Sequence, residues 1–328
     1  MEPISARDDG TFHAGEIAMQ QRVGVRERLA AIGPAVIRDH MPEPHRELFG
    51  KLPTLLVGSV DAQRRPWASL LIGRPGFVSA PDAYRLRIAA TPGFGDPLHE
   101  HLVTGAALGL LGIEPHTRRR NRMNGTVSEV HAAGFELRVD QSFGNCPQYI
   151  QARAPEWVAD PARYGAPRPV RAAGASLGAD AKALVMGADT LFIASVAAPS
   201  QRAARGDGVD VSHRGGKPGF VRVDEDEAGT LLTLPDFRGN FFFNTLGNIV
   251  AYPYAGLLLV DYANGDLLQL TGHAQIVWDG PELGRFLGAQ RLLRVRVERS
   301  VWMPRALPLR WSPPLQAAQL AATGAWGE

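Results

Sequence analysis

Two stretches of the chain, IGRPGFV from Ile72 to Val78 and SHRGGKPGFV from Ser212 to Val221, end in the same four residues after a basic side chain. Pro followed by Gly is turn chemistry: Pro presets φ for one corner of a turn and Gly accepts the positive φ of the next. The same turn written twice raises the question of a repeated unit. The flanks support one. LLVGSV (Leu55 to Val60) matches LFIASV (Leu191 to Val196), and both precede the turns. After the turns, GDPLHEHLVTG from Gly95 parallels GNFFFNTLGN from Gly239, and GLLGI from Gly109 parallels GLLLV from Gly256. MNGTVSEV from Met123 and LTGHAQIV from Leu270 close the series, which makes five matches in one order, over 50–140 and 188–285.

Each copy reads mostly as strand. LLVGSV, LFIASV, RLRIAA and LLTL are short apolar or β-branched runs ended by turn formers, and LRVRVERSVW alternates apolar with basic residues. One helical stretch per copy follows the Gly-Asp or Gly-Asn pair, whose carboxylate or amide suits an N-cap. Many short strands with one small helix suggest a closed or partly open barrel, because closure removes exposed edges. Ahead of the first copy, Gly15 to Gly33 reads as one amphipathic helix stopped by Gly33-Pro34, with Glu16 and Gln20 on a solvated face. Ala152 to Ala175, rich in Pro, Ala, Arg and Gly, reads as a linker with a candidate short helix.

Composition narrows the class. The chain has 328 residues, 45% of them apolar and 21% charged, which is globular usage. A net charge of +2 points to no nucleic-acid partner, so any basic site is local. The one cysteine, Cys146, excludes an internal disulfide framework and reads as an inert small hydrophobe in a reducing, cytoplasmic setting. The polar N-terminal residues read as no signal peptide, and no apolar run reaches the ~20 residues that cross a bilayer. The sequence contains no GxGxxG, Walker, GxSxG or HExxH motif.

The second copy carries the chemistry. Ser212, His213, Arg214 and Lys217 surround Gly215-Gly216, where positive φ would let a ligand approach the backbone. Asp236, Arg238, Asn240, Asn244, Thr245 and Asn248 gather around a helix start, whose N–H groups favour an anion. Together they read as two walls of a phosphate pocket. The first copy keeps the turn and Ser69 but has Leu70 and Leu71 in place of His213 and Arg214, and Pro92 and Phe94 in place of Asp236 and Arg238. It has instead a basic run, TRRRNRMNG, in which strand alternation would put Arg118, Arg120 and Arg122 on one face. Such a row either meets an anion or guards an exposed sheet edge.

The stretches FHAGE, GSVDAQRRPWASLLIGRPGFV, TRRRNRMNG, QSFGNCPQYIQ, VSHRGGKPGFVRV and LPDFRGNFFFNTLGN resemble the pyridoxamine 5'-phosphate oxidase-like group of FMN-binding split β-barrel proteins, in a bacterial branch with two barrels in tandem. The resemblance implies a β-dominated α+β fold of two six-stranded Greek-key split barrels with short helices. It divides the chain into an N-terminal helical segment (1–45), barrel one with a degenerate site (46–150), a linker with a helix (151–187), barrel two with the FMN site (188–312) and a tail (313–328). It places FMN between the barrels, with Ser212, His213 and Arg214 beside the flavin and Arg238, Asn240, Asn244, Thr245 and Asn248 near its phosphate. Arg120 and Arg122 would reach in from the other barrel. The implied function is an FMN-dependent oxidoreductase of a small molecule, with NAD(P)H as candidate reductant and a homodimer as candidate assembly. The competing class is a non-enzymatic flavin or haem binder, with His213 as axial ligand. The C-terminal substrate motif of a true pyridoxamine phosphate oxidase has no counterpart here.

Overall fold

A computed structural model of the chain describes residues 10–197 and 208–326. Residues 1–9, which carry most of the polar N-terminal reading, and the last two residues of the tail lie outside the described residues. Helices α1 (Ala14–Arg22), α2 (Arg26–Val36) and α3 (Glu43–Lys51) come first. Next are strands β1 (Thr54–Val60), β2 (Pro66–Ile72), β3 (Val78–Ser79) and β4 (Arg85–Ile88), then α4 (Leu98–His101). β5 (Ala107–Glu114), β6 (Arg119–His131) and β7 (Gly134–Gly144) complete one sheet. β8 (Pro155–Trp157), β9 (Arg171–Ala173) and α5 (Ala179–Gly187) lead on to β10 (Thr190–Val196), β11 (Val209–Gly215), β12 (Arg222–Asp226) and β13 (Gly229–Asp236). α6 (Asn244–Ala251), β14 (Tyr254–Val260), β15 (Leu267–Val277), β16 (Arg291–Met303) and β17 (Leu309–Trp311) follow.

The protein is β-dominated α+β, with two large antiparallel sheets. The first runs β2-β1-β5-β6-β7-β4-β3 and the second β11-β10-β14-β15-β16-β13-β12, so the two share one strand order. Registers agree too: Val57 pairs with Leu110 where Ile193 pairs with Leu257. Each long hairpin shifts register at its glycine, after Asn124 in β6 and after Thr271 in β15. The two quoted turns behave alike. Phe77 N donates to Arg74 O at 2.9 Å and Phe220 N to Lys217 O at 3.0 Å. Gly76 and Gly219 take the positive φ, 96° and 84°, that the second corner of a Pro-Gly turn demands.

The all-apolar runs follow from burial on both faces. In β1, Leu55 and Val57 enter the core of the first sheet while Leu56 turns to a second layer shared with the other sheet. In β10, Leu191 and Ile193 line the second sheet's own core, and Phe192 and Ala194 enter the shared layer. The shared layer also holds Trp67, Leu111, Val211 and Leu258. Here backbone meets backbone: a Cβ on Gly109 would lie 2.3 Å from Val209 O, and one on Gly256 would lie 2.3 Å from Pro66 O. These two glycines occupy matching positions, so each sheet lays its β2 or β11 edge against the other's glycine.

The structure differs from the sequence reading in three places. The first helix is two, broken at Gly24 (φ 71°), and Pro34 sits inside α2 instead of ending it. Neither helix end is capped by the Gly-Asp or Gly-Asn pair. α4 is preceded by Pro97 and α6 by Phe243, with Asp96 and Asn240 bonding backbone N–H groups two residues on. The segment 151–187 is packed structure: β8 pairs with β17, β9 pairs with β16, and Tyr164 is buried. Among the described residues, no helix is long and apolar enough to cross a membrane.

Replacing Gly256 with Ala is expected to cost about 1–3 kcal/mol, because the added methyl has only backbone to push against. Gly174→Ala, with nothing within 4 Å of its Cβ, should change stability by less than about 0.5 kcal/mol. Urea unfolding of both variants measures the difference; equal midpoints would show that the two sheets are not in such close contact.

Candidate functional site

Strand alternation aims Asp210, Ser212 and Arg214 of β11 to one side, about 6.6 Å apart in turn. Arg120, Arg122 and Asn124 of β6 form a matching row on the other sheet. The rows meet. Arg122 donates to Asp210 Oδ1 at 3.0 Å and to the Ser212 hydroxyl, while Asn124 Nδ2 donates to Asp210 Oδ1 at 2.8 Å. Arg122, Asp210 and Asn124 are all buried. Above this seam opens a cavity of about 130 Å³.

Ten of the twelve residues expected at the site line this cavity: Arg120, Arg122, Ser212, His213, Arg214, Asp236, Arg238, Asn240, Asn244 and Thr245. Two do not. Lys217 sits in the turn after β11 and does not reach the cavity. Asn248 is fully buried beneath the cavity, bonded to Ser195 Oγ and Asp210 Oδ2 at 3.1 Å each. Arg118 also leaves the basic row. It has φ 58° at the end of the short 3-10 turn before β6, and donates to the carbonyls of Ile150, Leu315 and Gln316. Gly215 and Gly216 are there for closeness, with no positive φ: their Cβ positions would strike Tyr149 O at 2.0 Å and the Phe220 ring at 2.4 Å.

The start of α6 forms a second wall. Its first internal hydrogen bond is Gly247 N to Phe243 O, and no side chain caps it. The amides of Asn244, Thr245 and Leu246 therefore have no acceptor within the helix, and all three residues line the cavity. Phe241 and Phe243 both hold φ 65°, a left-handed conformation that is costly for an aromatic residue and that turns the chain sharply into the helix. Thr245 Oγ1 lies 3.0 Å from Ser212 Oγ; one hydroxyl proton joins them and the other remains for a ligand.

Electrostatics favour an anion. Burial, with Arg122 and Arg214 nearby, lowers the Arg120 guanidinium to about 10. Hydrogen bonding leaves Nε of Arg120, Arg122 and Arg214 without a partner, and likewise Nη1 of Arg291. His213 is buried edge-on to Phe192, and burial plus Arg120, Arg214 and Arg153 hold its pKa well below the usual value, so it stays neutral.

Sequence reasoning missed the layer below. The FHAGE motif opens α1 with a capping box, in which His13 Nδ1 accepts from Gly15 N and Glu16 accepts from His13 N. His13 Nε2 therefore carries the proton and donates to Asn248 Oδ1 at 2.8 Å. Asn244 Nδ2 donates to Glu16 Oε1 at 2.6 Å. Gly15 and Gly247 let the two helices touch, a Cβ on Gly15 being 2.1 Å from Gly247 O. Glu16 is thus buried beneath α6, where desolvation and then Asp210 raise its pKa to about 8, and is not on a solvated face. Cys146 likewise lines the cavity, beside Asn145, Gln148 and Tyr149, where the sequence suggested only an inert hydrophobe. Tyr149 stacks on Phe237 at 5.1 Å. The spacing of Asp210 from Ser212 and Arg214 was visible in the sequence and marks one face.

The matching position on the first copy is filled. Gln269 Nε2 donates to Ser69 Oγ at 3.0 Å, as Arg122 does to Ser212. The register puts Trp67 where Asp210 stands, Leu71 where Arg214 stands and Leu267 where Arg120 stands. Tyr164 occupies the space itself, its hydroxyl donating to Leu70 O at 2.7 Å and its ring against Gly93.

No protein-family model and no curated protein matches the chain. Among solved structures, it is similar to HupZ of Group A Streptococcus at 16% identity and TM-score 0.29, over 38% of this chain and 91% of that one. It is similar to HutZ, the heme storage protein from Vibrio cholerae, at 15% identity and TM-score 0.26, over 39% and 95%. General Stress Protein 26 from Bacillus anthracis aligns at 14% identity and TM-score 0.24, over 41% and 94%.

Glu16 generates a test. Its folded pKa of about 8 lies above the ordinary 4.5, so the folded state binds the proton more tightly than the unfolded one. Its contribution to stability is full below about pH 4.5 and is lost as pH rises towards 8, at a slope of up to about 1.4 kcal/mol per pH unit. Glu16→Gln should flatten that fall and be more stable than the parent at pH 8. Thermal melts from pH 5 to 9 decide; parallel curves would mean that Glu16 is ionised throughout.

Proposed function

We propose that the cavity binds FMN and that the protein is an oxidoreductase acting on a small molecule. The observation that carries this reading is the seam itself. Arg120 and Arg122 from one sheet face Ser212, Thr245 and the uncapped start of α6 from the other, with buried guanidinium nitrogens left over. Three kinds of donor, guanidinium, hydroxyl and backbone amide, lining one cavity suit a phosphate, which accepts at three oxygens and carries up to two negative charges. Beyond the phosphate end, Leu111, His213, Phe243 and the stacked Tyr149–Phe237 pair offer flat, mainly apolar surface for a ring system.

In this reading each sheet belongs to a split barrel, 46–150 and 188–312, and the ligand sits where they meet. When bound, FMN supplies electron and hydride transfer, and the chain supplies position and charge. Ser212, Thr245, Arg120 and Arg122 hold the phosphate. Neutral His213 presents an uncharged nitrogen-bearing edge. Asp210, fixed by Asn124 and Asn248, keeps Arg122 aimed. Tyr164 leaves the first copy without a second site.

A haem is the competing occupant, because a neutral imidazole lining a cavity is a competent iron ligand and propionates would satisfy the same arginines. Absorbance after loading separates the two: flavin gives twin bands in the near-UV and blue, haem an intense Soret band.

Reconstitution with excess FMN is expected to saturate at one flavin per chain, and a ratio near two would show Tyr164 to be no barrier. Arg120→Gln should weaken FMN about tenfold or more, the value of one charge-assisted hydrogen bond. The same substitution should raise the melting temperature of the apoprotein, since it removes a like charge beside Arg122 and Arg214. Unchanged flavin affinity, followed by fluorescence titration, would place the phosphate elsewhere.

A further inference from the structure

We propose that the far end of the cavity, where Asp236 joins Arg214 to Arg291, binds a second oxyanion, so that the molecule acted on here is an acid, a carboxylate or a phosphate ester. This rests on the flavin reading for the occupant of the near end.

Arg214 lies two residues beyond Ser212 on the same face of β11, about 6.6 Å along the strand, and so a full step away from the Ser212–Thr245 pair. Asp236 accepts from Arg214, and its other oxygen is 3.0 Å from Arg291 Nε. One carboxylate thus fixes two guanidinium groups side by side. Arg291 is 2% exposed, set against the rings of Phe243 and Trp278 at 5.2 Å each, with Nη2 donating to Gln290 Oε1 at 2.6 Å. Its Nη1 has no hydrogen-bond partner, and the residue lines the cavity. A buried guanidinium held on two sides with an unused N–H is a prepared half of a bidentate oxyanion site.

Arg238, exposed at the mouth and set over the Phe241 ring, is placed to draw an oxyanion inward.

Calorimetric titration with inorganic phosphate at constant ionic strength tests this on flavin-loaded protein. The loaded chain should take up one phosphate. Arg291→Gln should lose that binding at least tenfold while FMN affinity changes less than threefold, and Arg120→Gln should do the reverse. Arg214→Gln, a less buried change, should repeat the Arg291 result if Arg291→Gln folds poorly. Competition by acetate against methyl phosphate distinguishes a carboxylate from a phosphate-ester substrate, and either preference supports an oxyanion site. No saturable phosphate uptake by the loaded chain, or tenfold loss of FMN affinity in Arg291→Gln, overturns the proposal. If no flavin loads, the near-end reading fails by itself and the apoprotein decides. Two phosphates per chain, one of them lost in Arg291→Gln, support the far-end site; one or none refutes it.

Discussion

Arg122 and Asp210 form a buried ion pair between residues of different sheets, and most of the site depends on it. Neither charge could be buried alone at tolerable cost, and the pair is sustained only because further partners complete it. Asn124 and Asn248 supply those partners to Asp210, and His13 then fixes Asn248. The chain of bonds thus runs from the N-terminal helix through α6 to the seam between the sheets. It sets where Arg122 points, and therefore where Ser212 and the start of α6 can offer donors to a ligand.

The close contact of the sheets is what makes this possible. Glycines at matching positions bring backbones together without side chains between them, so rows from β6 and β11 can face each other directly. The apolar layer of Trp67, Leu111, Phe192 and Leu258 seals the remainder against water. Electrostatic interactions at the seam are stronger for that exclusion.

Much of this was legible in the sequence, and the failures have physical reasons. The duplicated turn carried the shared strand order, because Pro-Gly chemistry is local and written in four residues. Arg120 and Arg122 followed from strand period, but Arg118 did not, because the strand begins one residue later and alternation has no meaning before it. Gly215-Gly216 was read as a place where positive φ admits a ligand, although the carbonyl of Tyr149 and the ring of Phe220 are what require the missing side chains. Glu16 was taken for a solvated residue, since helical spacing shows that residues share a face and not what covers that face. Arg291 could not be found at all: its role is set by Asp236, Phe243 and Trp278, which come from three other parts of the chain.

Tyr164 has a wider meaning for how the protein works. A symmetric pair of identical subunits must carry both sites or neither, since any substitution appears on both sides. Two sheets on one chain escape that constraint, and here one position is a closed, tyrosine-filled joint while its counterpart is lined by arginines. The joint also fixes the local concentration of each half near the other at a value that no dilution lowers. A ligand held across the seam is then retained in dilute solution, where a dissociating dimer would release it.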